Sequence, residues 1–577
     1  MQPPIGVSDF HKLIQFRDTK GNPYSFVDKT LFIKELLDNA IDVTLITRPR
    51  RFGKTLNMSM LHYFLAPEVD GITTQALFQN LNISRYKEYM DRYQGKYPVV
   101  YITFKDVGRE SNFETAYNSF CKVISRIYAK YQYLLSSETL ASHQKKIFES
   151  ILEERATPSS IQSSLLDLTR LLYLHHGVKP WVLIDEYDTP IQTAYMGKYY
   201  KEMIILMRGF LSAGLKDNTS LEQAVLTGIL RVSKESIFSG LNNLKTYSLL
   251  HPRYGEHFGF TEKEVTHLLS QSGLNQNLET IKEWYNGYQV GESIIYNPWS
   301  IVNYIKEQGK LNAYWVNISD NALVKELLFK SHTNLKIHFE SLLQDKSIEI
   351  FIDEHITFDN FESNESAIWS LLLMSGYLKA NVIEERSQGA LCQLLIPNKE
   401  VKDLFRILIV RWLSGVDSPT VFNQFIDNLL LGNMEDFSTH LQTIMLQTVS
   451  VYDIKGKEPE KFFHGFMLGL IASIDLKKYI IDSNKESGLG RFDIIIIPKD
   501  PSKLGIIIEI KSNKNHDPKK LNDPKQLKAL AEKALEQIDM QRYSTVFAQH
   551  QIKKLLKIGI VFSGKEFEVV HRIETKF

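Results

Sequence analysis

The first half of the chain alternates short apolar runs with longer segments in which apolar residues recur every three or four positions. The short runs are rich in β-branched residues and are typical of buried strands, whereas the longer segments indicate amphipathic helices. This alternation predicts an α/β fold in which a parallel sheet is covered by helices on both faces. The predicted strands lie near residues 43–48, 98–104, 181–185 and 224–230.

Two apolar runs near the C-terminus carry charged residues in unusual places. A run over 494–497 follows Asp493, and after a turn containing Pro, Lys, Ser and Gly a second run over 505–511 contains Glu509 and Lys511. Successive strand residues point to opposite faces, so Glu509 and Lys511 share one face. Pairing of the two strands would bring Asp493 to the same edge. We therefore predict a β-hairpin with three charged side chains grouped at one end.

That group has the chemistry of a phosphodiesterase site. Charged side chains are seldom fully buried unless they are paired or bind a metal. Asp493 and Glu509 offer carboxylate oxygens to a hard cation such as Mg²⁺, and Lys511 would orient or deprotonate a water. We predict all three as catalytic residues, with the two carboxylates as metal ligands.

A phosphate-binding loop is predicted between the first strand and the helix that follows it. Residues 48–55 match the pattern G-x-x-x-x-G-K-[ST], except that Arg48 stands at the first glycine. Gly53 lets the backbone approach phosphate groups, Lys54 reaches the terminal phosphates, and Thr55 offers its hydroxyl to Mg²⁺. The expected cofactors are therefore ATP and Mg²⁺.

Neighbouring residues extend this predicted ATP site. Because Pro49 removes one N–H from the loop, Arg50 and Arg51 are predicted to supply compensating positive charge. Asp185 and Glu186 end an apolar strand, where Asp185 would hold the water shell of Mg²⁺ and Glu186 would polarise the attacking water. A capped strand-to-helix turn is the structural alternative for Asp185, Glu186 and the nearby Asp188.

The last predicted strand of this sheet adds two polar residues. Thr227 lies in its C-terminal half and is predicted to sense the γ-phosphate, and Arg231 follows the strand and is predicted to steady charge in the transition state. A surface or ion-pairing role is an equally common use of such an arginine. Ligands of parallel α/β sheets bind at the C-terminal ends of the strands, which is where these residues fall.

The middle of the chain is dominated by helical periodicity and aromatic residues. Base stacking is one use of such aromatics, but core packing of a helical lid is the commoner one. Residues 345–366 are acidic and predict an exposed connector. At about 150 residues per domain, 577 residues predict three or four domains. We divide the chain into a phosphate-binding domain (1–250), a helical lid (251–345), a connector with a small α/β or winged-helix-like unit (346–425) and a C-terminal α/β domain (426–577).

Composition narrows the range of partners. The apolar content of 43% and charged content of 23% are typical of a soluble globular protein. The net charge of +1 gives no overall attraction to polyanions, so nucleic-acid binding would need a local patch. Residues 499–558 carry thirteen Lys/Arg against seven Asp/Glu, although a solvated helix face explains most such segments. Two distant cysteines and the lack of a long apolar run predict a cytoplasmic protein without membrane segments.

With these residues in hand, the chain resembles AAA-ATPase-like proteins of bacteria that are fused to a C-terminal PD-(D/E)XK nuclease-superfamily domain. In that family an arginine at the first loop glycine is usual. The resemblance implies a restriction-endonuclease-like fold for the C-terminal domain and action on nucleic acid, DNA or RNA. The motifs that carry it are residues 5–10, 26–30, 48–55, 182–190, 226–231, 284–288, 296–300, 396–400 and 463–466.

The resemblance also implies further residues around the metal. An acidic residue often comes from the helix before the hairpin, which makes Glu460 a candidate metal ligand, with helix capping as the alternative. Glu460 and His464 lie one turn apart on one helix face. Related nucleases place a glutamine in the helix after the hairpin, which makes Gln537 a candidate catalytic residue, with a solvated side chain as the alternative.

Three functional hypotheses follow. The first is an ATPase coupled to a Mg²⁺-dependent nuclease. The second is a nucleotide-dependent switch or interaction protein in which the nuclease fold is a non-catalytic scaffold. The third is a degenerate phosphate-binding loop that binds no nucleotide. The sequence leaves open the choice between DNA and RNA and whether the chain forms a homo-oligomer.

Overall fold

The computed structural model forms two compact units, Met1–Leu327 with Ser347–Val401, and Leu328–Lys346 with Lys402–Phe577. The four-domain division made from the sequence stays a prediction. The structure describes residues 3–15, 17, 21–108, 110–231, 242–274, 278–315, 333–343, 345–354, 364–386, 389–405, 419–448, 459–471, 474, 478–483, 486–487, 490–491, 493–513, 523–540 and 545–575.

The described helices and strands are numbered in chain order. The α-helices are α1 Phe10–Gln15, α2 Leu31–Asn39, α3 Lys54–Leu65, α4 Lys87–Tyr93, α5 Phe113–Lys130, α6 Ser142–Leu152, α7 Pro158–His176, α8 Thr189–Met196, α9 Tyr200–Leu215, α10 Glu262–Gln271, α11 Leu278–Tyr285, α12 Pro298–Lys306, α13 Thr333–Leu343, α14 Glu365–Met374, α15 Pro419–Leu431, α16 Met434–Thr448, α17 Pro459–Ile471, α18 Pro524–Met540 and α19 Thr545–Gln549. The strands are β1 Val43–Thr47, β2 Glu68–Val69, β3 Ile72–Thr73, β4 Val99–Thr103, β5 Trp181–Asp185, β6 Ala224–Gly228, β7 Leu244–Tyr247, β8 Tyr288–Val290, β9 Ser293–Ile295, β10 Ile348–Ile352, β11 Lys379–Arg386, β12 Gly389–Leu395, β13 Tyr479–Ser483, β14 Glu486–Ser487, β15 Gly490–Arg491, β16 Ile494–Pro498, β17 Leu504–Ser512, β18 Lys554–Ser563 and β19 Glu566–Glu574.

A parallel sheet organises the first unit. Its order is β4-β5-β6-β1-β7, and every neighbouring pair is parallel. The four predicted strands are confirmed as β1, β4, β5 and β6, each fully or largely buried. Helices cover both faces, as the sequence predicted. Because β1, β5 and β6 are adjacent, the residues that follow them meet at one edge of the sheet.

Strand β7 was not predicted. Its four residues, Leu-Lys-Thr-Tyr, include an exposed Lys245, and only Tyr247 is buried. Among the described strands it pairs only with β1, at the edge of the sheet. Edge strands need no continuous apolar run because they pair along one side, and this one therefore leaves little signal in the sequence.

The rest of the first unit is built around aromatic and antiparallel elements. A core of α10, α11 and α12 includes the buried rings of Tyr285, Tyr296 and Tyr304, which confirms that aromatics here serve core packing. Strands β10, β12 and β11 form an antiparallel sheet. The segment predicted as an exposed connector contains β10, in which Ile348 and Ile352 are buried; residues 355–363 of that segment lie outside the described residues.

The second unit contains a mixed sheet in the order β13-β16-β17-β18-β19. The predicted hairpin is confirmed, because β16 and β17 are antiparallel with Ile494 opposite Ile508 and Ile496 opposite Ile506. Strand β18 then runs parallel to β17, and α18 lies between them in the chain and packs on both. A bilayer crossing takes about 20 apolar residues in a helix, and no helix in the described part of the chain meets the length and hydropathy required.

Candidate active sites

Asp493 lies at the start of the hairpin, directly beside the strand that carries the other two charged residues. The main-chain N–H of Ile510 donates a 2.7 Å hydrogen bond to Asp493 Oδ2. Since Ile510 stands between Glu509 and Lys511, this bond fixes the Asp493 carboxylate next to both. The structure therefore brings together the three residues that the sequence placed at one edge.

Glu509 is a buried carboxylate with two different oxygens. Its Oε1 accepts hydrogen bonds from Lys511 Nζ at 3.1 Å and from Gln537 Nε2 at 2.5 Å. Its Oε2 is buried and has no hydrogen-bond partner among the described residues. Burial, followed by the charge of Asp493, raises the pKa of Glu509 to about 7, although Lys511 opposes the shift. A buried oxygen without a donor is costly unless a cation occupies the position.

Lys511 is held between two acids. Its Nζ lies 3.1 Å from Glu509 Oε1 and 3.9 Å from Glu460 Oε1. Burial alone would lower the pKa of Lys511, but the charges of Glu509 and Glu460 outweigh it and raise the pKa above its ordinary value. The ammonium therefore stays protonated, which favours orienting a water over deprotonating one.

Helix α17 contributes two residues next to the site, Glu460 and His464. Glu460 is on its first turn, and His464 Nε2 lies 3.0 Å from the main-chain oxygen of Asp493. That acceptor requires the proton on Nε2. The opposite face of the helix packs in the core through Phe463, Phe466, Met467 and Leu470. His464 was not predicted as a site residue, although its spacing from Glu460 was the signal that could have found it.

The donor set suits a hard divalent cation. Asp493 and Glu509 present oxygen ligands, and Glu509 Oε2 has no other described partner, as oxygen-liganded Mg²⁺ requires. No group of three or more His, Cys, Asp or Glu side chains that could hold a metal occurs among the described residues. The carboxylate of Glu460 lies near the ammonium of Lys511 and is not part of a three-ligand group in the described residues. Its role as a metal ligand stays a prediction.

The phosphate-binding loop of the first unit connects β1 to α3. Gly53 precedes the helix with φ of +83° and Arg51 adopts φ of +69°. These left-handed conformations turn the chain sharply, and glycine adopts them without strain. Lys54 is buried and its Nζ donates to the main-chain oxygens of Arg48 and Pro49, both at 2.9 Å. The ammonium thus lies inside the loop.

Asp185 is the last residue of β5, and its carboxylate is hydrogen-bonded to a residue of α3 and to a residue of β6. Its Oδ2 accepts from Thr55 Oγ1 at 2.7 Å, and its Oδ1 accepts from Thr227 Oγ1 at 2.5 Å. Three residues predicted from separate motifs therefore meet. Next to them, Glu186 adopts φ of +55°, and burial, followed by the charge of Asp185, raises its pKa. A raised pKa suits a group that accepts a proton from water.

Asp188 has a structural task. Its Oδ2 accepts from the main-chain N–H groups of Ile229 at 2.9 Å and Leu230 at 3.0 Å, and from Gln192 Nε2 at 2.8 Å. The turn-capping alternative considered for these acids therefore applies to Asp188, whereas Asp185 faces the loop.

Arg48 explains why this loop lacks its first glycine. The side chain is fully buried and donates from Nη1 to the main-chain oxygens of Thr47, Tyr247 and Ser248 at 2.8–2.9 Å, and from Nη2 to that of Arg253 at 3.2 Å. Burial lowers its pKa to about 9. The guanidinium thus ties the loop to the end of β7. The sequence did not predict this role, because three of the four acceptors lie at the end of β7 or after it, and β7 was not predicted either.

The remaining predicted residues lie around the loop. Arg51 places its guanidinium 4.4 Å from the ring centre of Trp299, and the main-chain oxygen of Arg50 accepts from Trp315 Nε1 at 3.0 Å. The charges of both arginines act on Glu186. Arg231 follows β6, and its buried Nε has no hydrogen-bond partner among the described residues. Residues 232–241, which continue from it, lie outside the described residues.

Comparison with known proteins agrees with this architecture. Residues 4–238 match the family described as predicted AAA-ATPase, and residues 458–572 match the PD-(D/E)XK nuclease superfamily. An uncharacterized protein from the vnfD 5′ region of Azotobacter chroococcum is 26% identical over 432 residues, or 74% of each chain. A signal transduction ATPase with numerous domains and a tetratricopeptide repeat sensor, from Pyrococcus horikoshii, is 12% identical over 73% of this chain, with a TM-score of 0.23. The match spans about half of that structure (53%), and such a score does not indicate a shared overall fold.

Proposed function

We propose that this chain, which carries an AAA-ATPase-like domain at residues 4–238 and a PD-(D/E)XK nuclease-superfamily domain at residues 458–572, is an ATPase coupled to a Mg²⁺-dependent nuclease. The observation that carries the nuclease half is the pairing of Asp493 with the strand of Glu509 and Lys511. The substrate of the nuclease would be DNA or RNA. We also propose that the protein forms a homo-oligomer and acts in the bacterial cytoplasm.

In the nuclease half, each residue has a defined task. Asp493 and Glu509 would hold Mg²⁺, which when bound stabilises charge on a phosphoryl oxygen and lowers the pKa of water. Gln537 and Lys511 engage Glu509 Oε1 and so leave Oε2 available. Lys511, protonated, would donate to the scissile phosphate or the incoming water.

In the ATPase half, Lys54 would exchange its contacts with loop carbonyls for contacts with phosphate oxygens. Thr55 and Asp185 would hold Mg²⁺, and Glu186 would accept a proton from the attacking water. Thr227 would respond to the γ-phosphate through its bond to Asp185. Arg50, Arg51 and Arg231 would balance phosphate charge. Nucleotide turnover would gate the nuclease.

The charge that supports binding to nucleic acid is confined to one segment of the chain, because the whole chain has a net charge of only +1. The segment 499–558 contains an excess of Lys and Arg over Asp and Glu. Within it, Lys499 and Lys503 lie in the turn between β16 and β17, at the end of the hairpin away from Asp493. Residues 514–522 and 541–544 of the segment lie outside the described residues. Phosphate contacts by Lys and Arg would make binding weaken as salt rises.

The test uses the purified full chain with labelled single- and double-stranded DNA and RNA, with and without ATP and Mg²⁺. Wild-type protein should cut at least one substrate in a Mg²⁺-dependent way, and Asp493→Asn and Glu509→Gln should abolish the cut while retaining ATP binding. Glu536→Gln, an exposed change beside Gln537 on α18, is the matched control and should cut normally. Equal cutting by wild-type protein and both variants would refute the nuclease proposal.

A second function has one observation in its favour. Two carboxylates without a third ligand among the described residues also fit a scaffold that no longer binds metal, in a protein that acts as a nucleotide-dependent switch. Mg²⁺ or Mn²⁺ titration separates the two proposals. Binding that disappears in Glu509→Gln supports the nuclease, whereas no binding by wild-type protein supports the switch.

A further inference from the structure

We infer that three motifs outside both sites form one buried cluster that positions the phosphate-binding loop, with Glu400 and Trp299 as positioning residues for nucleotide. The motifs are residues 284–288, 296–300 and 396–400, which the roles proposed above leave unexplained. The cluster lies within the first unit. The inference rests on the proposed ATP binding and names the residues that make the loop competent for it.

Glu400 is the centre of the cluster. It is fully buried, its Oε2 accepts from Ser300 Oγ at 2.7 Å, and its Oε1 accepts from the main-chain N–H of Trp315 at 2.5 Å. A buried carboxylate loses much hydration energy and persists where its hydrogen bonds are well made. It therefore fixes the start of α12 and the backbone of Trp315 relative to each other.

Trp315 carries this constraint to the loop. Its indole Nε1 donates to the main-chain oxygen of Arg50 at 3.0 Å. Its ring packs edge-on with that of Tyr288 at 6.2 Å, and Tyr288 in turn packs against Phe52 at 4.9 Å. Residues 50 and 52 of the loop are thus held from one side by neighbouring aromatic groups.

Trp299 contacts Arg51, which lies between residues 50 and 52 of the loop. The Arg51 guanidinium lies 4.4 Å from the centre of its ring, a distance typical of a cation–π contact. Arg51 has φ of +69°, a conformation that a residue with a side chain keeps only when its surroundings hold it. The Trp299 side chain is itself fixed, because its Nε1 donates to the Tyr314 main-chain oxygen at 3.3 Å.

A close backbone contact joins the first and third motifs. Gly287 has φ of +91°, and a Cβ there would lie 2.2 Å from the main-chain oxygen of Pro397. Asn398 Nδ2 also donates to the main-chain oxygen of Asn286 at 2.8 Å. Only glycine permits this approach, so the first and third motifs are in direct backbone contact. The third motif is linked to the second through the bond between Glu400 and Ser300.

The conformation of the phosphate-binding loop therefore depends on residues outside it. Its first glycine is replaced by Arg48, and the conformation of residues 50–52 is maintained by Glu400, Trp315, Trp299 and Tyr288. Weakening the cluster should therefore loosen the loop and weaken ATP binding even though no cluster residue is among those proposed to contact ATP.

The test compares Glu400→Leu, the conservative Glu400→Gln and Trp299→Leu in the full chain. Glu400→Leu should raise the Kd for ATP roughly tenfold, the size of one or two lost hydrogen bonds. Glu400→Gln should restore most of the affinity, because its oxygen still accepts from Trp315 N–H while its amide donates to Ser300 Oγ. The control Thr261→Ala removes the side-chain N-cap of α10 and should leave Kd unchanged.

A readout without nucleotide separates this inference from the proposed ATPase. Amide hydrogen exchange over residues 50–55 should be faster in Glu400→Leu and Trp299→Leu than in wild type and Thr261→Ala. Faster exchange with no ATP binding by wild-type protein would uphold the positioning cluster and reject the proposed function. Normal ATP binding and normal exchange in both Leu variants would overturn the inference. If Glu400→Leu does not fold, Trp299→Leu, at a partly exposed position, decides.

Discussion

The N–H of Ile510 donates to Asp493 Oδ2 at 2.7 Å, so the carboxylate that begins one strand is anchored to the backbone of the next. Ile510 itself points into the core and is fully buried, while its neighbours Glu509 and Lys511 face the other way. This bond from a main-chain N–H to a carboxylate ties the position of the candidate site to the register of the hairpin, in which Ile494 lies opposite Ile508. A slip by one residue would place Glu509 in the core and destroy the site.

The raised pKa of Glu509 predicts how stability depends on pH. Its folded pKa of about 7 exceeds the ordinary value of 4.5, so the folded state binds the proton more tightly than the unfolded state. The stabilising contribution is complete below pH 4.5 and is lost as the pH rises through 7. We expect Glu509→Gln, which cannot ionise, to gain stability over wild type between pH 5 and pH 8, by on the order of 2 kcal/mol.

Urea unfolding of both proteins at pH 5, 6, 7 and 8, without divalent metal, measures this difference. Glu532→Gln, an exposed change on α18, is the control and should follow wild type at every pH. A constant difference between wild type and Glu509→Gln across the range would show that Glu509 does not titrate as described.

His464 is expected to act on metal binding through Asp493. Its Nε2–H donates to the Asp493 main-chain oxygen, and groups that orient metal ligands typically change affinity 10–100-fold when removed. His464→Ala should therefore weaken Mn²⁺ binding roughly tenfold in calorimetry. His464→Gln, whose amide N–H can replace the donor, should lose less. Equal loss in the two variants would indicate that helix packing, and not this bond, is what the histidine provides.

The candidate nuclease site was largely predictable from the sequence because its signal is local. Asp493, Glu509 and Lys511 lie within two short strands, and alternation along a strand fixes which of them share a face. Gln537 became a candidate through the family resemblance, and its hydrogen bond to Glu509 is a finding of the structure. That Glu509 Oε2 has no hydrogen-bond partner in the described part of the chain was not predictable, because it depends on how α17 and α18 pack around the hairpin.

The loop of the first unit shows the opposite case. Its motif residues were found, but its conformation depends on contacts with residues about 200 to 265 positions away, including Tyr247, Trp299 and Trp315. A pattern of apolar and polar positions carries no information on such pairings. The same limit applies to β7, whose place beside β1 gives Arg48 its acceptors.

Asp185 and Asp188 lie three residues apart and are expected to differ in role, Asp185 in ATP turnover and Asp188 in the stability of the fold. Asp185 accepts from two threonine hydroxyls, so Asp185→Asn should fold normally and lower ATP turnover by roughly a hundredfold, as loss of one preorganised charge does. Asp188 accepts from two main-chain N–H groups. Asp188→Asn should lower the free energy of unfolding by about 1–3 kcal/mol. ATPase assays and urea unfolding of both variants test the division; the reverse pattern would contradict it.

Arg48 provides the sharpest contrast between motif and structure. Restoring the small residue that phosphate-binding loops usually have at this position should not improve the protein, because the guanidinium donates to four main-chain oxygens and fills a fully buried space. Arg48→Ala and Arg48→Gly should each lower the free energy of unfolding by about 2–4 kcal/mol and weaken ATP binding. The exposed Arg126→Ala controls for loss of an arginine. If Arg48→Gly instead bound ATP more tightly at unchanged stability, Arg48 would be a substitution that the loop merely tolerates, and its bonds to the end of β7 would not support the site.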